Sequence, residues 1–473
     1  MLDIVIAGGV VIDGSGAPRR AADVGITGDR IVAVGDLAGM PARRRLDAGG
    51  HIVAPGFIDS HTHDDQLLLE HPARHPKLLQ GVTTVVTGNC GISLAPLVHG
   101  HPPPPLDVMQ ASFHASFADY VRAVEAARPA LNAALLVGHT TLRVGAVADL
   151  GRAANATETE RMRAGVAAAL AAGAIGMSTG VYYPPSRAAT TQELIDVGAP
   201  LAGGAGIVTM HLRDEGDRID DALREALAVG RALNVPLVLS HHKLMGAANH
   251  GRSVQTLALI EDAARTQSVC FDCYPYAASS TMLLPERVAA CTDVQVTWSQ
   301  PEPQAAGRSL RRMAAERGIA PEALAAALMP GGAIYFAMSD ADVERILAHP
   351  LAMIGSDGLP GDGVPHPRLW GTFPRVLGHC ARERGLLALE AAVHKMTGLT
   401  ARRFGLAGRG LLQPGCSADV TVFDAGAVAD RATYADPTAA PLGIAWVLVN
   451  GQLAVDHGEV AHGHAGALLR RRV

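Results

Sequence analysis

The 473-residue sequence predicts an α/β fold, a TIM-like (β/α)8 barrel joined to a small β-sandwich domain. The first observation is a regular alternation in the middle of the chain, where eight short apolar runs are separated by segments rich in Ala, Leu, Glu and Arg. Eight such βα alternations are the signature of this barrel. The second is strand-like sequence with glycine turns at both chain ends. The third is a 48% apolar content, enough to bury a large core.

The eight apolar runs are interpreted as the barrel strands, in chain order. They are GFIDSH (56–61), VTTVVTG (82–88), NAALLVG (132–138), AIGMS (174–178), GIVTMH (206–211), PLVLSH (236–241), VCFDCY (269–274) and AMIGS (352–356). Segments such as 157–173 and 219–233 have the composition of connecting helices. The stretch from 275 to 351 is too long for one crossover, so we predict an inserted helical subdomain at about 285–348 that overhangs the barrel mouth.

Both chain ends contribute to the predicted β-sandwich domain, which we place at 1–55 and 410–473. Apolar and polar residues alternate in ADVGITGDRIVAVG near the start and in GIAWVLVNGQLAVDHGEV near the end. Within the second run, Asn450-Gly451 is a strong signal for a hairpin turn. The barrel then occupies 56–409, with the inserted subdomain included.

Composition and charge exclude two classes of partner. The formal net charge is −5, and apart from two arginine triplets there is no basic run, so we expect no nucleic-acid partner. No apolar run approaches the ~20 residues of a membrane helix, so we expect no membrane partner.

The six cysteines lack disulfide-framework spacing, which predicts a reducing, cytoplasmic location. Assembly into a homo-oligomer stays open.

Metal-capable side chains stand at the ends of five predicted strands, where barrels of this kind carry their chemistry. His61 and His63 follow the first strand two residues apart, so both imidazoles leave one face of an extended segment. Each candidate alone fits an ordinary structural role, but accident does not explain five strand ends together. Thiolate and imidazole donors favour zinc, as one or two ions. The candidates are His61, His63, Cys90, His211, His241 and Asp357.

Longer motifs around these residues carry a family resemblance that covers essentially the whole chain. They are PGFIDSHTHDD (55–65), GNCGIS (88–93), GVYYPP (180–185), HLRDE (211–215), SHHK (240–243), YPYAASST (274–281), GSDG (355–358) and HPRLWGTFPRVLG (366–378). The chain resembles the amidohydrolase superfamily and, more narrowly, the D-aminoacylase (N-acyl-D-amino-acid deacylase) family. PGFID-x-H-x-H is common to many amidohydrolases, whereas GNCG with HLRDE and SHHK is much narrower.

The resemblance implies a zinc-dependent enzyme that hydrolyses the amide bond of N-acyl-D-amino acids. A tightly held zinc would lie on the residues that match Cys90, His211 and His241. A second, weaker metal position would involve His61 and His63, and Asp357 matches the catalytic aspartate. The preference for the D enantiomer comes from the family alone. The residues that match the family's site for the substrate α-carboxylate are Lys243, Arg368, Tyr274 and Ser280, with Tyr182 or Tyr183 nearby.

Two assignments and two departures stay open within this resemblance. Tyr276 and Ser279 could serve in place of their neighbouring tyrosine and serine. His250 and the pair His379-Cys380 depart from the family pattern. Both departures could contact the acyl or side-chain pocket, so they bear on substrate choice more than on the reaction.

The scarcity of lysine separates two reaction classes. Only Lys77, Lys243 and Lys395 occur, and strand four ends at 176–180 without one. Many two-metal amidohydrolases, such as dihydroorotases and hydantoinases, bridge their ions there with a carboxylated lysine, for which Cys90 is the natural substitute. A cyclic-amide hydrolase is therefore the weaker alternative. The other alternative, a non-catalytic protein on the same scaffold, would be expected to lose metal ligands.

Overall fold

The computed structural model describes residues 1–73, 75–108 and 113–471. Its first seven strands contribute to two sheets, and short apolar runs between glycine turns favour them. They are β1 (Leu2–Ala7), β2 (Val10–Val11), β3 (Arg20–Ala21), β4 (Asp23–Thr27), β5 (Arg30–Gly35), β6 (Ala42–Asp47) and β7 (Ile52–Pro55). Gly56 alone separates β7 from the first barrel strand.

Eight parallel strands form the barrel, and every residue in them is buried. The first seven are β8 (Phe57–Asp59), β9 (Val82–Thr87), β10 (Asn132–Gly138), β11 (Gly176–Gly180), β12 (Ile207–His211), β13 (Leu237–Leu239) and β14 (Val269–Cys273). After β15 (Ser279–Met282), β16 (Asp293–Ser299) and β17 (Gly331–Phe336), which lie in the insertion, β18 (Ala352–Ile354) is the eighth. Strands buried on both faces have continuous apolar sequences, so each overlaps a predicted run. The predicted barrel is confirmed.

Helices connect the strands, and the two predicted at 157–173 and 219–233 correspond to α4 and α7 in the following list. They are α1 (Leu67–Glu70), α2 (Phe117–Ala127), α3 (His139–Ala146), α4 (Ala156–Ala172), α5 (Pro184–Arg187), α6 (Thr191–Gly198), α7 (Ile219–Leu233), α8 (Ser253–Ala264), α9 (Pro285–Val288), α10 (Leu310–Arg317), α11 (Pro321–Ala327), α12 (Asp340–Ala348), α13 (Arg368–Arg375), α14 (Leu389–Met396) and α15 (Gly398–Phe404). A π-helical segment, Val376–Glu383, continues α13. Across the described ranges, no helix is long and apolar enough to cross a membrane.

Packed side chains fill the barrel interior and leave its upper rim for chemistry. Each of the eight strands contributes a buried apolar residue, either from the strand or from the position just before it. Because the interior is solid, functional groups are confined to the carboxyl ends of the strands. The cluster includes Ile58, Val86, Leu136, Ile175, Ile207, Val238, Cys270 and Met353, with Phe404 from α15.

The inserted segment differs from the helical subdomain predicted at about 285–348. It contains α9–α12, but β15, β17 and β16 also form an antiparallel sheet in that order, which begins at Ser279. Buried and half-buried residues alternate along much of β16 (DVQVTWS), and this strand signal was outweighed by the helical sequence around it. The segment has a hydrophobic core of its own, which includes Val294, Val296, Leu310 and Met313.

Two sheets packed on a shared core form the small domain, so the predicted sandwich is confirmed. The C-terminal strands are β19 (Val420–Phe423), β20 (Ile444–Val449), β21 (Gln452–Asp456), β22 (Glu459–Val460) and β23 (Leu468–Leu469). The sheet orders are β5-β4-β1-β6 and β22-β21-β20-β19-β7-β2-β3. Asn450-Gly451 makes the turn between β20 and β21, as predicted.

The end of the chain leaves the sandwich, although the sequence placed all of 410–473 there. β23 pairs in parallel with the barrel strand β10, with Leu468 opposite Ala133. A two-residue strand carries too little pattern for its partner to be predicted. We retain the boundaries at 55/56 and 409/410 as a proposal for how the chain divides.

Candidate active site

Barrel closure brings the first and last strand ends together. Thr62 and Gly358 form a parallel bridge beyond β8 and β18. The Asp357 N–H donates to the His61 carbonyl oxygen at 2.8 Å. The closing hydrogen bonds therefore place the two ends of the barrel sequence side by side at its mouth.

A thiol, imidazoles and a carboxylate meet at this point. The Cys90 Sγ lies 3.2 Å from His61 Nε2 and 3.3 Å from His241 Nε2. Asp357 Oδ1 lies 3.2 Å from His63 Nε2 and 3.5 Å from His61 Nε2. Ligand atoms of His61, Cys90, His241 and Asp357 all lie within 4.8 Å of one another, which is close enough to hold an ion.

His211 joins this cluster from the other side. Its ring centroid is 4.4 Å from that of His241, and the two form a second possible ligand group with Glu215. Both ring nitrogens of His211 are buried without a hydrogen-bond partner among the described residues. A metal ion would satisfy such an imidazole, and the thiol beside it favours zinc. All six predicted metal and catalytic residues thus converge, and their donor set fits zinc.

Three of these residues have strained backbone conformations. Cys90, His241 and Asp357 have φ values of 54°, 37° and 51°, in the left-handed region that non-glycine residues rarely adopt. Such strain clusters at functional sites. The turn around Cys90 also needs its glycines, because a Cβ on Gly88 would lie 2.1 Å from the Leu136 carbonyl oxygen.

The electrostatics favour the charged forms of the thiol and the carboxyl. Burial raises the pKa of Cys90, but His61, His241 and His211 outweigh it and hold that pKa well below its usual value. Burial likewise raises the pKa of Asp357, and the adjacent Arg368 and histidines bring it well below its usual value. The site therefore contains an electron-rich sulfur ligand and an ionised carboxylate that can accept a proton.

Sequence reasoning missed Asp272, a buried carboxylate beneath the site. Asp272 Oδ1 accepts the His241 N–H at 2.8 Å and lies 3.2 Å from His61 Nδ1. It therefore orients the His61 imidazole from behind, as carboxylates commonly do for metal-binding imidazoles, and it fixes the backbone of His241. A signal was present, because Asp272 is an acid inside the otherwise apolar run VCFDC of β14.

A buried triad of charged residues, Lys77 with Asp59 and Asp64, links the first and last strands of the barrel. The sequence analysis did not identify it. Lys77 Nζ lies 2.9 Å from Asp59 Oδ2 and 2.8 Å from Asp64 Oδ2. Asp59 Oδ1 accepts the Ser356 N–H at 2.8 Å and the His61 N–H at 3.3 Å. The Asp59 carboxylate thus fixes the backbone at His61, just after the first barrel strand, and at Ser356, just after the last one.

Two cationic side chains, Arg368 and Lys243, flank the Tyr274 ring beside the group of metal-capable residues. The Arg368 guanidinium lies 4.6 Å from the ring centroid and Lys243 Nζ lies 5.8 Å from it. Each cation also has a carboxylate partner: Arg368 Nη1 is 2.9 Å from Asp357 Oδ2, and Lys243 Nζ is 2.6 Å from Glu215 Oε1. Arg368 is fully buried, so its guanidinium supports Asp357 from inside the protein.

A cavity of about 570 Å³ opens in front of these groups. Tyr183, Ser279 and Ser280 line it, whereas Tyr182 packs its ring against His211 with centroids 5.4 Å apart. The Ser280 hydroxyl donates to a backbone carbonyl at 3.2 Å. Arg287, which sequence reasoning also missed, lines the cavity with its guanidinium 4.6 Å from the Tyr335 ring centroid. Within the described ranges no carboxylate pairs with it.

Three residues that the sequence offered as contacts of the pocket lie elsewhere. His250 Nε2 is 3.3 Å from the Ala337 carbonyl oxygen, and Cys380 packs in the main hydrophobic core from the π-helical segment. Neither they nor His379 are among the described residues that line the cavity. Neither Tyr274 nor its alternative Tyr276 is among the described residues that line the cavity, and the contacts of Tyr274 with Lys243 and Arg368 are what place it nearer the site. The expectation that His250 and the pair His379-Cys380 touch the pocket is therefore wrong for the described lining, because His250 and Cys380 are engaged in contacts elsewhere.

Strand four confirms the argument from the lysines. β11 ends at Gly180, and Lys77 and Lys243 are both engaged in ion pairs. Lys395 Nζ donates to the Ala352 carbonyl oxygen at the start of β18, away from the strand ends that carry the site. No lysine is therefore available to bridge two ions in the manner of a hydantoinase.

The sequence is similar to those of known amidohydrolases over its whole length. It matches the profile of the Amidohydrolase family over residues 44–301 and 277–455. It is 54% identical to a D-aminoacylase, over 99% of this chain and 98% of the relative. It is 52% identical to an N-acyl-D-aspartate deacylase, over 96% of this chain and 92% of the relative. It is 51% identical to an N-acyl-D-glutamate deacylase, over 99% of this chain and 97% of the relative. All three relatives come from Alcaligenes xylosoxydans xylosoxydans.

Solved structures give the same picture. A D-aminoacylase described with a binuclear metal center, one-metal activation and second-metal attenuation has 55% identity, 100% coverage of both chains and a TM-score of 0.98. An N-acyl-D-glutamate deacylase from Bordetella bronchiseptica, complexed with zinc and a phosphonate mimic of the tetrahedral intermediate, has 48% identity, 99% coverage of both and a TM-score of 0.95. An L-hydantoinase from Arthrobacter aurescens has 17% identity, 100% coverage of both chains and a TM-score of 0.64, so the similarity shows a shared fold alone.

Proposed function

This chain belongs to the amidohydrolase family and groups with its D-aminoacylases, and on that premise we propose that it hydrolyses N-acyl-D-amino acids with zinc. The products are a carboxylate and a free D-amino acid. The observation that carries the proposal is that zinc donors, an ionised aspartate and the cationic Lys243 meet at one cavity, with the buried Arg368 directly behind the aspartate. The D preference rests on the relatives.

Zinc fits the donors at the strand ends. We assign a tight position to Cys90, His211 and His241, and a second, weaker position to His61 and His63. When bound there, zinc acidifies a water molecule and polarises the amide carbonyl. The relatives described with zinc and with a binuclear center support this assignment.

We assign the proton transfers to Asp357. Arg368 holds its Oδ2, while Oδ1 stays among the histidines at the cavity edge. From this position the carboxylate accepts a proton from the attacking water and passes it to the amide nitrogen as the C–N bond breaks. Its ionised resting state supports the first of these two roles.

We assign substrate binding to the cations beside Tyr274. Lys243 and Arg368 attract the α-carboxylate, and Tyr183 and Ser280 complete the surrounding wall, with Tyr182 behind. Fixing the carboxylate and the amide together orients the third substituent at Cα, which is how one enantiomer is selected.

We further propose a cytoplasmic location. All six cysteines are free, as expected in a reducing compartment.

The test is a pair of initial-rate measurements on zinc-supplemented protein, with N-acetyl-D-methionine and its L enantiomer. We expect turnover of the D form alone. If methionine derivatives fail, N-acetyl-D-aspartate and N-acetyl-D-glutamate follow, because relatives are named for those substrates. Hydrolysis of hydantoin or dihydrouracil without hydrolysis of any N-acyl-D-amino acid would overturn the proposal in favour of a cyclic-amide hydrolase.

A further inference from the structure

Glu215 lies between the metal-capable histidines of the site and the ammonium group of Lys243. Its Oε1 lies 3.0 Å from His241 Nδ1 and 2.6 Å from Lys243 Nζ. Oε2 lies 4.0 Å from His211 Nε2. The residue is only 6% exposed, and its carbonyl oxygen accepts the Met245 N–H at 2.8 Å, which fixes its loop.

We propose that Glu215 is a positioning residue that sets which nitrogen of His241 faces the metal and where the Lys243 ammonium stands. The proposal rests on the zinc site and carboxylate clamp of the proposed function. It assigns Glu215 no proton transfer and no bond to substrate.

The argument starts from the two nitrogens of His241. Nε2 is 3.3 Å from Cys90 Sγ, so Nε2 must be the ligand atom and must carry no proton. The single proton of the neutral imidazole then belongs on Nδ1, which needs an acceptor. Glu215 Oε1 is that acceptor at 3.0 Å.

Lys243 makes this acceptor necessary. Its Nζ lies 2.7 Å from the same Nδ1 of His241, and an ammonium can only donate. The 2.7 Å contact is at hydrogen-bond distance, so the ammonium competes with Glu215 for Nδ1. If Lys243 donated there, the imidazole proton would stand on Nε2, which then could not bind zinc. Glu215 accepts from both groups, so one carboxylate keeps the ligand in its binding tautomer and holds the ammonium beside the cavity.

The first experiment measures the zinc dissociation constant by competition with a chelator. Glu215→Leu removes the acceptor, and we expect it to weaken zinc binding about 10- to 100-fold, as for other groups that orient metal-binding histidines. Glu215→Gln keeps an acceptor oxygen, so its loss should be clearly smaller and it serves as the folded variant if leucine disrupts the site. Asp214→Asn is the matched control, because Asn can still accept the Gly216 N–H that Asp214 binds at 2.7 Å.

The second experiment tests the effect on Lys243 through substrate discrimination. The ratio of kcat/KM for N-acetyl-D-methionine to that for N-acetyl-D-methioninamide, which lacks the carboxylate, should fall in Glu215→Leu and stay unchanged in Asp214→Asn. A purely structural defect would lower both rates together and leave this ratio intact.

Two results would overturn the proposal. Unchanged zinc affinity in a folded Glu215→Leu protein would show that His241 needs no acceptor. A loss far above 100-fold in Glu215→Gln, with an altered absorption spectrum of the cobalt-substituted protein, would make Glu215 a ligand instead. Because zinc affinity is measured without substrate, failure here is distinct from failure of the parent protein to hydrolyse N-acyl-D-amino acids.

Discussion

The two walls of the cavity are built differently. The strand-end wall consists of polar residues at the carboxyl ends of barrel strands, and the insertion wall consists of residues on the separate antiparallel sheet and its loops. The strand-end wall is His63, His211, Glu215, His241, Lys243 and Asp357. The insertion wall is Ser279, Ser280, Thr281, Met282, Arg287, Trp298, Gln300, Pro330 and Gly332.

Charge balance distinguishes the walls most clearly. On the strand-end wall, Lys243 pairs with Glu215, and Asp357 pairs with the buried Arg368. On the insertion wall, Arg287 lies against two tyrosine rings with no carboxylate partner among the described residues. The contrast indicates that the barrel fixes the reaction through an internally neutralised network. The insertion has its own core and contacts that network through its backbone, where Arg368 Nη2 donates to the Ser280 carbonyl oxygen at 3.0 Å, so its side chains are free to vary substrate choice.

The strongest test of the strand-end wall is Asp357→Asn. The amide cannot accept the proton from water, so we expect kcat to fall by about 10²–10⁴-fold. KM should change much less, because Lys243 and Arg368 remain. Bound zinc, measured by metal analysis, should be retained through Cys90, His211 and His241. Near-normal turnover would show that Asp357 takes no part in the reaction. The conclusion that the strand-end wall fixes the chemistry and the insertion wall the substrate would then be wrong.

Most of the strand-end wall could be predicted from the sequence, for a physical reason. Parallel strands buried on both faces appear as apolar runs, and the rule that barrels carry chemistry at strand ends selects the polar residues that follow. This reasoning identifies His63, His211 and His241 on the wall, and His61 and Cys90 directly behind it. Asp272 was not, because it lies inside a run, where a residue is taken as part of the core.

The insertion wall could not be predicted in the same way. The alternation in β16 was visible, but nothing in the sequence says which sheet face will border the cavity. Arg287 acquires its role from neighbours that are distant in the chain, such as Tyr182. The same holds for Glu215 on the strand-end wall, whose role comes from His241. Such roles depend on tertiary contacts that local pattern does not encode.

Arg287→Met tests whether the insertion wall selects substrates. A guanidinium that has no carboxylate partner in the described part of the chain favours substrates with a second carboxylate, since a hydrogen bond to a charged group contributes about 1.5–3 kcal/mol. We expect kcat/KM for N-acetyl-D-glutamate to fall about 10-fold or more relative to N-acetyl-D-methionine. Arg308→Met is the control, because Arg308 pairs with Glu316 on the exposed side of the same insertion. An equal fall for both substrates would assign Arg287 to the general architecture of the cavity.

Asp362 allows a finer test where the two walls meet. It lies on the loop after β18, and that loop joins the insertion through the Val364 N–H, which donates to the Thr297 carbonyl oxygen at 3.0 Å. Burial raises the pKa of Asp362 from 3.8 to about 7, although Thr297 and Arg368 lower it. Between these two values the folded protein binds the extra proton, so this group lowers stability as pH rises.

Asp362→Asn removes this pH-dependent cost. The gain in Tm over the parent protein should therefore be larger at pH 8 than at pH 5, by on the order of 1–2 °C. The exposed Asp29→Asn variant is the control, and its Tm difference from the parent should not grow with pH. A gain at Asp362 that is the same at both pH values would mean that the carboxyl is already ionised at pH 5. The junction would then carry a permanent negative charge, and the walls would be coupled electrostatically as well as by backbone contact.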